Sequence, residues 1–279
     1  MAHVRVVSDS GCDLPDEIVR RLDIDIVSLT VRFGDDEFTD RVDLTPSEFW
    51  AKCKASKALP ETAAPSPGAF QVAYERAKAE GFDGVIVLSL SAGLSATNQS
   101  AVLASEAVDG LIPVQVIDTK AVSMALGLLV IDVAEMAKNG ASLDRLVERA
   151  EYLINKVGVI AMLDTLDHLV KGGRVGGARA LLGQVLAIKP LLELKDGVVV
   201  EAGRQRTRAK ALVAIAQVAR SHAPLRRMAV VHGDSSELNA LVALVADIPV
   251  EFPLVIADMG PTIGTHGGPG IIGVAWVEA

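Results

Sequence analysis

Short apolar runs alternate along the chain with stretches whose apolar residues recur every three or four positions, and the two periods mark strands and helices. Residues 4–7 read as a strand, 14–22 as a helix and 26–31 as a second strand. Thr45-Pro46-Ser47-Glu48 is a capping box with proline at the first helical position, so a helix opens there. Ser66-Pro67 repeats that start before a helix to about residue 80, followed by a buried strand at 85–90 and a helix beyond Gly93-Leu94-Ser95. Residues 114–117 read as the next strand, and Val122, Leu126, Leu129, Val133 and Met136 mark one face of the next helix. This alternation predicts βαβ units and a parallel sheet.

Ser142 can cap an amphipathic helix ending near residue 156, after which 157–163 reads as a strand and the pattern changes. A helix over about 177–188 precedes two strands, 191–194 and 198–200, joined across Asp196-Gly197, a strong hairpin signal. A helix from Thr207, a strand at 228–231, a helix from Glu237 and terminal strands at 250–256 and 272–277 follow. The expected fold class is α/β in two domains: 1–155 with a doubly wound, mostly parallel sheet, and 156–279 with a mixed sheet.

Composition narrows the chemistry. Half of the 279 residues are hydrophobic but only 4% are aromatic, so any pocket has aliphatic walls, which suit an alkyl chain better than a stacked base or sugar. A net charge of −8 argues against a nucleic-acid surface, which needs a basic footprint. Cys12 and Cys53 lack Cys-x-x-Cys spacing, so neither a disulfide framework nor a thiolate zinc site is indicated. The first residues enter a strand directly and show no signal peptide. The longest apolar stretch, 121–131, is interrupted by Ser123 and Gly127 and stops at Asp132, too short for a hydrocarbon layer about 30 Å thick. A cytoplasmic protein without a transmembrane segment is expected.

Four segments place hydroxyls, imidazole or glycine-rich backbone where loops meet strands or helices, the usual ligand positions of α/β folds. Thr62-Ala63-Ala64-Pro65-Ser66 serves either as a linker ending in a cap or as part of a site. In 89–100 a strand runs into a hydroxyl-rich turn and a helix; Ser91 or Ser95 either caps that helix or joins its free N–H groups in holding an anion. The run 163–176 contains Lys171-Gly172-Gly173-Arg174 but lacks the strand and Lys-Ser/Thr of a phosphate loop, so a structural turn with Arg174 solvated or ion-paired fits it better. Finally, Gly264-Thr265-His266-Gly267-Gly268-Pro269-Gly270 surrounds one histidine with flexible backbone that can approach a ligand closely.

Gly93-x-Ser95 after a strand, Asp118 or Asp258 downstream and His266 last follow the chain order of an α/β-hydrolase triad. Thr97 nevertheless stands where the nucleophile elbow requires glycine, and His266-Gly267-Gly268 comes after the serine although an oxyanion motif should precede it. A serine hydrolase or small-molecule phosphotransferase using Ser95 and His266 is the alternative to a binding protein.

Taken in order, the four segments resemble the DegV family of bacterial lipid-binding proteins, together with Ser8-Asp9-Ser10 and Asp13-Leu14 near the start. The resemblance implies a long-chain fatty acid held by its carboxylate at Thr62, Ser95 and His266, with Ser91, Gly93, Leu94, Gly267 and Gly268 in the supporting loops. It implies a non-catalytic carrier that presents the lipid to a fatty acid kinase subunit for acyl-phosphate formation, with Arg206 as the kinase contact. No cofactor, metal, nucleic acid or catalytic residue is implied; transient contact with a membrane surface is compatible with the role. Ala63-Ala64 and Asn98 depart from the family's frequent Ser-Gln and Tyr, which bears on head-group geometry and chain preference. No lysine stands among the expected anchors, so the carboxylate is expected to lack a fixed cation.

Overall fold

The computed structural model describes residues 2–56, 58–181 and 188–279. The chain runs β1 (Val4–Asp9), α1 (Asp16–Leu22), β2 (Ile24–Val27), β3 (Thr30–Phe33), β4 (Asp36–Thr39), α2 (Pro46–Ala55), β5 (Glu61–Ala63) and α3 (Pro67–Ala79). It continues through β6 (Gly84–Ser89), α4 (Thr97–Ala107), β7 (Val114–Asp118), α5 (Met124–Lys138), α6 (Leu143–Ile154), β8 (Val157–Met162) and α7 (Asp167–Lys171). A 3-10 stretch at Gly176–Leu181 leads towards β9 (Lys189–Lys195), β10 (Val198–Gln205), α8 (Arg208–Ser221), β11 (Leu225–His232), α9 (Leu238–Val245), β12 (Val255–Asp258), α10 (Pro261–Gly267) and β13 (Ile272–Glu278).

The first sheet is parallel, in the order β2-β1-β6-β7. Its strands are apolar on both faces. Val4, Val6, Ile86 and Leu88 pack on the side of α5, while Val7, Val85 and Val87 pack against Phe70, Tyr74 and Ala101 of α3 and α4. Helices therefore cover both faces, the condition that lets a parallel strand dispense with polar alternation. The second sheet has the order β10-β9-β8-β13-β11-β12 and is antiparallel except between β11 and β12. One of its faces carries α8 and α9, through Ile160, Leu191, Ile215 and Leu241. The two-part α/β architecture is thus a parallel and a mixed sheet.

Helix α5 lies between them, touching β1 and β6 on one side and β8, β11 and β13 on the other. Every residue over 124–134 is buried, so the helix has no solvent face over that stretch, and its nearly all-apolar sequence there follows from that position. Its one buried acid, Asp132, bonds to Arg149 of α6 and to Arg226 and Arg227 of β11. The charge is acceptable in the interior because three guanidinium groups meet it.

Several elements differ from the expected pattern. The strand expected over 26–31 is broken at Ser28-Leu29, where the Leu29 N–H donates to Ser10 Oγ (3.0 Å) and its carbonyl accepts from Asp40 (2.9 Å). The chain leaves the parallel sheet there and enters a small antiparallel one, β4-β3-β5. Asp196 and Gly197 both have positive φ, 50° and 80°, as the expected two-residue hairpin requires. The helix expected over 177–188 is a 3-10 stretch through 181, and 182–187 lie outside the described residues. Residues expected as turn form the short α7, the last strand before α10 is confined to β12, and the glycine-rich segment around His266 is helical through Gly267.

Candidate functional site

Strand β1 leads into α1 on one face of the parallel sheet and β6 into α4 on the other. The loops following these two neighbours diverge, which opens a crevice at their carboxyl ends. The mixed sheet and α10 close that crevice into a cavity of about 910 Å³, its mouth included. Leu90, Val159, Ala161, Leu192, Leu194 and Ile271 contribute to a predominantly aliphatic wall.

Thr62, Ser95 and His266 all line this cavity. Thr62 sits on β5, opposite Val31 of β3, so the small sheet carries a residue that sequence alone left in a linker. Its Oγ1 lies 2.9 Å from Nε2 of His266, which α10 brings in from the other end of the chain. Ser95 occupies the turn before α4, where its Oγ lies 2.9 Å from Thr97 Oγ1 and accepts the Thr97 N–H at 3.3 Å. It therefore has a local hydrogen-bonding role as well as a place on the cavity wall.

Burial, followed by the nearby Arg174 guanidinium and the His168 ring, pulls His266 down to about 4, so its own ring is neutral at pH 7. Nδ1 is buried without a hydrogen-bond partner and faces Gly172, where a β-carbon would lie only 2.2 Å away. Asp118 accepts instead from the Ala92 and Lys120 N–H groups, and Asp258 lies 3.2 Å from His232. Neither aspartate orients His266. Ser95 bonds to Thr97 while His266 bonds to Thr62, so the chain order of a hydrolase triad does not become triad geometry here.

The supporting residues divide by role. Leu94 and Gly267 line the cavity. Ser91 donates its hydroxyl to Gly197 O (2.6 Å) and accepts the Gly93 N–H (3.1 Å), fastening the β9–β10 hairpin to the Ser95 turn. A β-carbon at Gly93 would meet Gly197 O at 2.8 Å, so glycine permits this close approach. Gly268, at φ +76°, packs against the His168 ring. Arg206 is exposed between β10 and α8 and does not line the cavity.

Sequence reasoning missed Arg174 as a cavity residue. Its Nε donates to Leu94 O at 3.0 Å and Nη1 to Gly172 O at 2.6 Å, so it joins the Ser95 turn to the glycines beside His266. Arg174 thus puts a cation on the cavity wall beside the expected anchors. Also missed was the deeper polar wall, where Ser123 donates to Asp13 (2.6 Å) and Thr262 to Asp40. Asp13 after β1 and Asp40 after β4 were the available signal, but their partners lie far away in sequence.

These elements define a two-part α/β protein built around a cavity that is aliphatic along its walls and carries hydroxyls, an imidazole and a guanidinium. The sequence matches, over residues 3–279, the family model described as "Uncharacterised protein, DegV family". The chain belongs to the DegV family. A DegV domain-containing protein of Listeria monocytogenes is 34% identical over 279 residues, covering 98% of each chain. A Thermus thermophilus structure described as fatty acid binding of a DegV family protein is 34% identical, with a TM-score of 0.91 and coverage of 99% of this chain and 100% of that one. A stearic acid-binding protein of Eubacterium ventriosum is 26% identical, with a TM-score of 0.88 and coverage of 100% and 98%.

Proposed function

We propose that this protein binds a long-chain fatty acid, with its carboxylate at Thr62, Ser95 and His266 and its alkyl chain along the aliphatic walls. The juxtaposition of the Thr62–His266 pair with Ser95 on one such cavity carries the reading. Burying about 16 carbons removes roughly 12 kcal/mol of transfer cost at about 0.8 kcal/mol per methylene. Ordering the chain offsets part of that gain, and the buried head group needs donors to avoid a larger penalty. Thr62 and Ser95 supply hydroxyls, and neutral His266 can donate from Nε2 once the Thr62 hydroxyl turns to the ligand.

The protein acts on this reading as a cytoplasmic carrier that performs no chemistry and presents its lipid to a fatty acid kinase subunit. Arg206 is the proposed contact, and its exposure and separation from the cavity support a role in docking. Native mass spectrometry of purified protein should show a retained species of fatty-acid mass. Thr62→Ala and Ser95→Ala should each weaken palmitate binding by about 1–3 kcal/mol, the cost of leaving a buried acceptor short of a donor. Unchanged affinity in both would move the carboxylate elsewhere. Arg206→Ala should keep the lipid and lower acyl-phosphate output with the kinase subunit; loss of lipid binding would argue against a docking role.

A further inference from the structure

The deeper cavity wall carries two hydroxyls that the carboxylate site does not use. Ser123 and Thr262 line the cavity and are each 2% exposed, whereas Thr62, Ser95 and His266 are all partly exposed. Thr262 stands four residues before His266 on α10, so the two share a helix face about 6 Å apart along the axis. Neither hydroxyl has an ordinary local purpose. Ser123 occupies the start of α5, yet its side chain makes no cap bond there and donates instead to Asp13 at 2.6 Å. It holds φ 55° and ψ −143°, a conformation that glycine reaches without strain and serine does not. Thr262 donates to Asp40, whereas its neighbour Thr265 bonds back to Pro261 O, as threonines within helices commonly do.

A hydroxyl has one proton and two acceptor lone pairs. With their protons directed at Asp13 and Asp40, Ser123 and Thr262 keep lone pairs to spare. Among the described residues no donor reaches Ser123 Oγ, and Thr262 Oγ1 has the 3.3 Å contact with Ser10. The neighbouring lining side chains Leu29, Val122, Val231 and Met259 have no proton to offer. A plain alkyl chain lying here leaves these acceptors unmet. A chain that carries a hydroxyl supplies the missing proton, and, being donor and acceptor at once, it matches either placement of the Ser123–Asp13 proton.

We infer that Ser123 and Thr262 form a second polar subsite, and that the preferred ligand is a long-chain fatty acid with a hydroxyl on the carboxyl-proximal half of its chain. The inference rests on the fatty-acid reading above and narrows its substrate class. Closeness to His266 on one helix face puts the hydroxyl nearer the carboxyl end than the methyl end. A site built to pair a ligand hydroxyl rejects the analogue lacking it more strongly than an apolar wall discriminates by size.

The test titrates delipidated full-length protein by calorimetry with palmitate and with 3-, 6- and 16-hydroxypalmitate, in wild type, Ser123→Gly and Thr262→Val. Glycine suits the backbone at 123 and valine keeps the shape of threonine, while each removes one hydroxyl. In wild type, 3- or 6-hydroxypalmitate is expected to bind about tenfold tighter than palmitate, and 16-hydroxypalmitate no tighter. In each variant that preference should fall below about threefold, with palmitate bound as well as before or better. Comparing two lipids within one protein keeps the readout independent of any loss of folded material. Wild type that binds palmitate as tightly as both proximal hydroxy acids would overturn the inference and leave the fatty-acid reading standing. A preference that survives in both variants, or that favours the 16-hydroxy acid, would overturn it as well. Wild type that binds none of the four would overturn both readings.

Discussion

Gly172 shows how much of the head-group geometry depends on a missing side chain. Its backbone lies so close to His266 that a β-carbon would stand 2.2 Å from Nδ1 and 2.7 Å from Cε1. Its neighbour Gly173 has φ +72°, a conformation that suits glycine, whereas the demand at Gly172 is for space. Gly172→Ala should therefore turn the imidazole away from Thr62 and break the 2.9 Å contact. We expect palmitate affinity to fall by about 1–3 kcal/mol, the range for a buried group deprived of its partner. NMR of the His266 ring and a palmitate titration check this together; an unshifted ring resonance with unchanged affinity would refute it. Ser95 was the most legible candidate, because a strand, a hydroxyl-rich turn and a helix start are local features. Gly172 was not, since its purpose is a contact with a residue remote in the chain.

Helix α10 illustrates a similar limit for an element. Four glycines in 264–270 spoke for a loop, yet the segment is helical through Gly267 because Pro261 pre-sets the first turn and distant groups satisfy its start. Asp13 accepts the Gly260 N–H at 2.9 Å and Asp40 the Thr262 N–H at 3.2 Å. Tertiary partners override weak local propensity here. The helices at Pro46 and Pro67 were legible for the opposite reason: their Thr45 and Ser66 caps act within three residues.

The carboxylates that hold α10 make stability depend on pH. Burial pushes Asp13 up to about 8 and the neighbouring Asp9 up to about 7, and it raises Asp40 as well. The unfolded chain releases these protons near the ordinary value of 3.8, while the folded protein retains them into the neutral range. Stability is fully present below the unfolded value and is lost as pH rises through about 7 to 8. His266 acts in the other direction: its lowered value removes stability as pH falls from 6.5 towards about 4. Urea midpoints should therefore decline from about pH 6.5, above the opposing His266 range, to about pH 8 and level off beyond it, and Asp13→Asn should flatten that decline. Equal slopes in wild type and variant would exclude Asp13 as the source.

At the scale of the whole molecule, α5 joins what the two sheets divide. We propose that the boundary near residue 155 separates sheets but not folding units. Core residues from before it, such as Val6 and Ile86, and after it, such as Val159 and Ala275, belong to one apolar cluster around this helix. A chain cut there would expose the face of α5 that meets the mixed sheet and would leave Asp132 without Arg226 and Arg227, a severe loss for a buried charge. The protein's two tryptophans, Trp50 and Trp276, stand on opposite sides of the boundary and allow a direct test. In Trp50→Phe and in Trp276→Phe, urea unfolding followed by the remaining tryptophan should coincide with loss of helix by circular dichroism, because a shared core opens as one. Saturating palmitate should move all of these curves together, by about 2.7 kcal/mol at a hundredfold excess over the dissociation constant. Separate midpoints, or a lipid shift confined to one tryptophan, would instead mean that α5 detaches from one sheet before the other and that the cavity can open without global unfolding.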